Sequence, residues 1–165
     1  MRPQGLNPAD CIFLKPGEFW FGKAPVRLQT ILGSCIAITL WHPERKIGGM
    51  CHYMLPETRL RISPQHSGRT AGEAMALFLR EIHQHHTRPD EYEVKLFGGA
   101  SFFPEVQNGT SRNHVSVQNV VAAHQLLRDH GFRILRESVG GRVSRKLIFD
   151  LATGDAWLSM GAPQA

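Results

Sequence analysis

The chain has 165 residues, 42% of them apolar, with 19 Lys and Arg against 14 Asp and Glu for a net charge of +5. That size and balance suit a single folded domain, residues 1–165, with a proper hydrophobic core. No apolar run approaches the roughly eighteen residues of a membrane span, and Met1 to Pro8 has no apolar leader segment, so the reading excludes a membrane-spanning or secreted protein.

Three cysteines, an odd number without metal-site spacing, suit a reducing cytosol. The positive charge permits a nucleic-acid or acidic-protein partner but is not gathered into a basic run. Arg59, Arg61 and Arg69 flank a loop, and Arg142, Arg145 and Lys146 flank a glycine pair. Most of these read as solvated surface charges.

Residues 1–10, with Pro3 and Pro8, read as a flexible start. Residues 11–14 and Trp20-Phe21 bracket Lys15-Pro16-Gly17-Glu18 and read as short strands around a turn. Residues 26–31 alternate apolar with polar and read as a strand leading into Gly33-Ser34-Cys35. Residues 32–41 and 46–56 are apolar and rich in β-branched or aromatic residues. With His42-Pro43-Glu44-Arg45 between them, they read as a β-hairpin.

A loop of those residues pairs Trp41 with Lys46 and sets Cys35 directly opposite His52, with Cβ atoms about 4.5–5.5 Å apart. Cys51 falls on the other face with Ile36, Ile38, Leu40 and Ile47, which is a core pattern, and that leaves Cys35 as the candidate nucleophile. Gly33-Ser34 permits a tight turn into the strand, so backbone N–H groups around Ser34 and Cys35 are available to an oxyanion. A slip of one residue would put thiol and imidazole on opposite faces. A structural cysteine beside a satisfied histidine is the alternative, and spacing alone does not decide between them.

Residues 57–68, polar with Pro64 and Gly68, read as a loop beside this site that shapes substrate access. Ala71, Ala74, Met75, Phe78 and Ile82 then mark an amphipathic helix from about Thr70 to His86, ended before Pro89. His83, His85 and His86 in its last turn read as solvated residues that suit the helix dipole rather than as metal ligands. Residues 92–97 alternate and run into Gly98-Gly99, either a turn that needs positive φ or a close backbone approach to the site. Ser116 reads as the N-cap of a helix carrying Val120, Val121, Ala123 and Leu127, with His124 as a core histidine and Gly131 at C′. Residues 132–137, 146–150 and 156–158 read as the last strands. Two helices and about eight strands give an α/β (α+β) fold with a mixed, largely antiparallel sheet.

The runs Thr30-Ile31-Leu32-Gly33-Ser34-Cys35, Gly49-Met50-Cys51-His52-Tyr53-Met54-Leu55-Pro56 and Phe97-Gly98-Gly99-Ala100 resemble the CheD family of bacterial chemotaxis proteins, the chemoreceptor glutamine deamidases. Asn119, Gly140-Gly141, Arg145, Phe149 and Thr153-Gly154 agree in order and spacing, and the resemblance covers residues 14–158. The chain departs from the family pattern over residues 102–114, and beyond them has Ser116 where glycine is usual and Gln118 where a charged residue is common.

The resemblance implies a three-layered α/β sandwich working in the cytoplasm without cofactor or metal. It implies Cys35 as nucleophile, His52 as base and Thr30 as third catalytic residue, and it favours Ser34, Gly98 and Gly99 as substrate or oxyanion contacts; Thr39, which shares the face of Cys35 in the hairpin, is a weaker substitute for Thr30. The implied reaction hydrolyses glutamine side-chain amides to glutamate on methyl-accepting chemotaxis receptors, releasing ammonia. A CheC-type phosphatase is the implied partner, with neither nucleic acid nor membrane insertion involved. Two other functions fit the same residues: an adaptor that holds a CheC-type protein or receptor, and a hydrolase of receptor methyl esters.

Overall fold

The computed structural model describes residues 11–102 and 114–162. The expected flexible start at residues 1–10 and the family departure at residues 104–110 lie outside the described residues. In chain order the elements are β1 (Cys11–Phe13), β2 (Phe19–Lys23), β3 (Arg27–Leu32), β4 (Ile36–His42), β5 (Ile47–Cys51), α1 (Ala71–Gln84), β6 (Glu93–Gly98), α2 (His114–Asp129), β7 (Ile134–Val139), β8 (Arg145–Asp150) and β9 (Ala156–Met160).

The strands divide between two sheets. The outer sheet runs β1-β3-β8-β9 and the central one β2-β5-β4-β6-β7. The α/β class stands, with strands largely antiparallel; among the described residues only the strands β1 on β3 and β6 on β7 pair in parallel. The single expected sheet is replaced by two because β1 and β2, flanking the Lys15-Pro16-Gly17-Glu18 turn, pair with different partners. β1 joins β3, while β2 joins β5. The turn is therefore a crossing between sheets.

Two cores hold the layers. Ile36, Ile38 and Leu40 of β4 point at α1 and α2 and meet Ala74, Met75, Phe78, Ala123 and Leu127. The alternate residues Ala37 and Trp41 point the other way and meet Leu28, Leu32, Leu147 and Phe149 of the outer sheet. All seven residues of β4 are buried, as in any strand covered on both faces. The layers are outer sheet, central sheet and helices, which is the sandwich that the resemblance implied.

The hairpin forms, with its register moved by two residues. Trp41 pairs with Gly48 and His42 with Ile47, so His42 belongs to the strand and the loop is Pro43-Glu44-Arg45-Lys46. Lys46 takes a left-handed φ of 53° to close it. Gly48 and Gly49 fix this register, because a Cβ at Gly48 would stand 2.0 Å from the Leu40 carbonyl oxygen. An even shift keeps every side chain on its expected face.

α1 begins at Thr70, whose hydroxyl accepts from the Glu73 N–H, and its expected apolar stripe is buried. His83 and His86 at its far end are exposed, while the His85 ring lies 5.2 Å from that of Phe21. In α2 the buried stripe is Asn119, Ala122, Ala123, Leu126 and Leu127. Val121 is exposed instead of core. His124, one step beyond that stripe, is exposed and pairs with Glu137 of β7 at 2.7 Å instead of entering the core. Ser116 lies inside the helix rather than at its N-cap. Gly131 ends the helix at φ 84°, as a C′ glycine does.

Candidate active site

Cys35 stands one residue before β4, in the bend that β3 makes after Leu32. The last rung of the β4–β5 ladder is Ile36 with Tyr53, closed by both N–H···O bonds at 3.0 Å. In this register Met54 faces Cys35 and Ala37 faces His52. Cys35 and His52 thus share the face toward the outer sheet as diagonal neighbours, with Cα atoms about 7–8 Å apart. They are one step farther apart than the direct opposition expected from sequence.

The outer sheet supplies the next residue. Thr30 on β3 is fully buried, and its hydroxyl lies 2.7 Å from both the Leu14 carbonyl oxygen and His52 Nδ1. A carbonyl can only accept, so the single hydroxyl proton goes to Leu14 and Nδ1 must supply its own proton to Thr30. His52 is therefore the Nδ1–H tautomer, with its lone pair on Nε2. That Nε2 is buried and has no hydrogen-bond partner among the described residues. The His52 backbone is held in turn by its carbonyl, which accepts from the Gly17 N–H at 2.7 Å. Thr39, in contrast, sits mid-strand opposite Met50 and Lys95.

Burial governs the charges here. It lowers the His52 pKa to about 4, against the opposing pull of the Leu14 backbone and the Glu18 carboxylate. Burial also raises the half-buried Cys35 thiol, with the Ser34 side chain opposing. At neutral pH both groups rest uncharged, so the imidazole is free to take a proton. Cys51, facing the helices, is pushed up to about 12 by burial and is chemically silent.

Gly98-Gly99 packs directly on the cysteine backbone. Gly98, at φ 114°, leaves no room for a side chain, since a Cβ would come 2.1 Å from the Cys35 carbonyl oxygen. The Gly99 N–H donates to that carbonyl at 2.9 Å, and the Ala100 N–H donates to Gly33. The Gly99 N–H is thereby committed to the Cys35 carbonyl. Among the described residues the Ser34 and Cys35 N–H groups donate to no carbonyl and remain available. Arg145 is not a solvated charge as expected. It is buried, and it donates from Nε to Ser138 at 3.1 Å and from Nη1 to the Gly98 carbonyl at 3.4 Å.

One contact near the site was not legible as such. Asn119 of α2 is fully buried, and its Nδ2 donates at 3.0 Å both to the Ser34 carbonyl and to the Met54 carbonyl. In the sequence it is marked as a residue that agrees with the family pattern, with no role attached, and the physical signal is a carboxamide on an otherwise apolar helix face.

A layered α/β sandwich that brings a thiol, an imidazole and a threonine hydroxyl to one end of two facing sheets has the residue set of a cysteine-dependent hydrolase. The model of the CheD family, described as CheD chemotactic sensory transduction, matches residues 54–160. A probable chemoreceptor glutamine deamidase, CheD 3, of Dechloromonas aromatica is 45% identical over 150 residues, spanning 90% of this chain and 86% of its own. A protein of the same description from Pseudomonas savastanoi is 45% identical over 147 residues, 89% of this chain and 82% of its own. One from Chromobacterium violaceum is 38% identical over 161 residues, 95% and 83% of the two chains. The chain belongs to the CheD family.

Proposed function

We propose that this protein is a chemoreceptor glutamine deamidase in which Cys35 is the nucleophile, His52 the base and Thr30 the residue that orients it. The observation that carries this reading is the Thr30–His52 hydrogen bond. It fixes the tautomer and leaves an unshared lone pair on a buried Nε2, on the same strand face as a half-exposed thiol. The names of the relatives supply the substrate class.

The chemistry follows from these groups. His52 Nε2 takes the proton of Cys35, and the sulfur attacks the side-chain amide carbon of a receptor glutamine. The Ser34 and Cys35 N–H groups receive the developing oxyanion. Collapse breaks the C–N bond, and His52 returns its proton to the departing nitrogen, releasing ammonia and leaving a thioester on Cys35. Water, deprotonated by the same Nε2, attacks the thioester carbon, breaks the C–S bond and restores the thiol with glutamate as product. The diagonal spacing of thiol and imidazole closes when substrate is bound, as catalytic hydrogen bonds commonly do.

The same reading takes residues 1–165 as one deamidase domain acting in the cytoplasm, with a CheC-type phosphatase as partner. Among the described residues no helix is long and apolar enough to cross a membrane. The test is incubation with a purified receptor cytoplasmic fragment. Ammonia release and a gain of about one mass unit per converted glutamine are expected with the wild type and not with Cys35→Ala. No mass change with the wild type overturns the deamidase reading in favour of a binding module, and loss of methyl groups instead of amides indicates an esterase.

A further inference from the structure

β4 and the segment after β5 part company just where the chemistry sits. Beyond the Ile36–Tyr53 rung the Leu55 N–H, which would continue the ladder, turns away to the Arg69 carbonyl at 3.2 Å, and the Ser34 carbonyl has no backbone partner on the facing strand. Two strand ends that separate here would carry Cys35 and His52 apart with them. The gap is closed from behind by Asn119. Its two Nδ2 protons go one to each strand, to the carbonyls of Ser34 and Met54, both at 3.0 Å.

The geometry requires the nitrogen at this position, since both neighbours are carbonyls that only accept. Its Oδ1 is buried without a partner among the described residues. An orphaned buried acceptor costs free energy, and it is retained here together with a fully buried carboxamide. The helix itself is tied to the same place, because the Tyr53 hydroxyl donates to the Asn119 backbone carbonyl. Ser34 immediately precedes the nucleophile, and Met54 follows the base by two residues. Neither contact reaches the thiol or the imidazole, which point to the opposite face of the sheet.

We infer that Asn119 is a positioning residue that replaces the missing rung of the ladder and thereby sets the separation between Cys35 and His52. The inference rests on the proposed roles of that pair. Loss of the clamp lets the strand ends drift, and a misplacement of about 1 Å between reacting groups costs on the order of a hundredfold in rate.

The test compares wild type with Asn119→Asp, which keeps the shape and removes both donors, and with Asn119→Ala. Deamidation of a receptor fragment and alkylation of Cys35 by iodoacetamide are both measured per folded molecule. The expected result is a kcat lower by about tenfold to a hundredfold with KM within about twofold, and a parallel fall in Cys35 alkylation. In Asn119→Asp the deficit should narrow as pH falls, because a protonated carboxyl regains one donor. A purely structural asparagine would lower the melting temperature and leave kcat, alkylation and this pH signature unmoved, and that result overturns the inference. Should neither variant fold, hydrogen-bond couplings from the wild-type Asn119 Nδ2 to the Ser34 and Met54 carbonyl carbons are expected by NMR, and their absence overturns it. Wild type that alkylates normally but deamidates nothing refutes the deamidase reading, while the alkylation comparison still decides the role of Asn119.

Discussion

Thr30 on β3 of the outer sheet and His52, one residue past β5 of the central sheet, meet at 2.7 Å across the space between the sheets. The contact makes the alignment of the base a property of how the two sheets pack. A hydroxyl that gives its proton to Leu14 can only accept from the imidazole, so Thr30 holds His52 in the Nδ1–H tautomer, as a carboxylate does in Ser-His-Asp triads.

Replacing Thr30 with Val keeps the volume and deletes the acceptor. The imidazole then loses its preference for the Nδ1–H tautomer, and kcat is expected to fall about tenfold to a hundredfold with little change in KM. Thr30→Ser restores most of the rate. Leaving Nδ1–H and the Leu14 carbonyl unpaired also costs about 1–3 kcal/mol of stability, read from denaturant unfolding.

The lowered His52 pKa has two consequences with one sign. The acid limb of kcat/KM is expected near pH 4 rather than 6.5, because the free enzyme keeps its base neutral to about that value. Between these pH values the unfolded chain binds a proton that the folded chain does not. Stability is therefore full above pH 6.5 and declines as pH falls toward 4, by on the order of 3 kcal/mol. His52→Gln lacks that component, and unfolding curves of the two proteins across this range check it.

Gly98→Ala places a Cβ on the Cys35 carbonyl at a φ that side chains rarely adopt. Loss of activity is expected together with a destabilisation of about 2 kcal/mol or more. Circular dichroism and the deamidation rate of the soluble fraction measure both.

The thiols should separate by environment. In native protein the exposed Cys11 and the half-buried Cys35 react with iodoacetamide and Cys51 does not, since Cys51 is buried and its pKa is pushed up to about 12. Cys51→Ala keeps the deamidation rate within about twofold and costs about 1–2 kcal/mol. Peptide mapping of the labelled protein locates the adduct.

Much of this arrangement is legible in the residues, and the misses have physical causes. Alternation along residues 32–41 assigns Cys35 and Cys51 to opposite faces, and that assignment survives the two-residue change of register because side chains alternate with period two. The register itself depends on the close backbone approach at Gly48 and Gly49, which loop length does not encode. A turn such as Lys15-Pro16-Gly17-Glu18 reads the same whether its strands pair together or enter different sheets. That ambiguity hides the second sheet, and with it the route by which Thr30 reaches His52. His124 and Arg145 fail in opposite directions: one lies a single helical step off the buried stripe, and the other is a cation drawn inside by the Gly98 carbonyl and Ser138. Local pattern does not carry such tertiary partners.

The central claim is that the sulfur of Cys35 forms a covalent acyl-enzyme with a receptor glutamine. Its most direct measurement is the intact mass of the protein after rapid acid quench during turnover of a glutamine-bearing receptor peptide, with the adduct mapped by digestion. The account predicts an adduct of the peptide mass less ammonia on Cys35, absent in Cys35→Ala, whose turnover is lost. Turnover that persists in Cys35→Ala, or an acyl adduct on another residue, would contradict it.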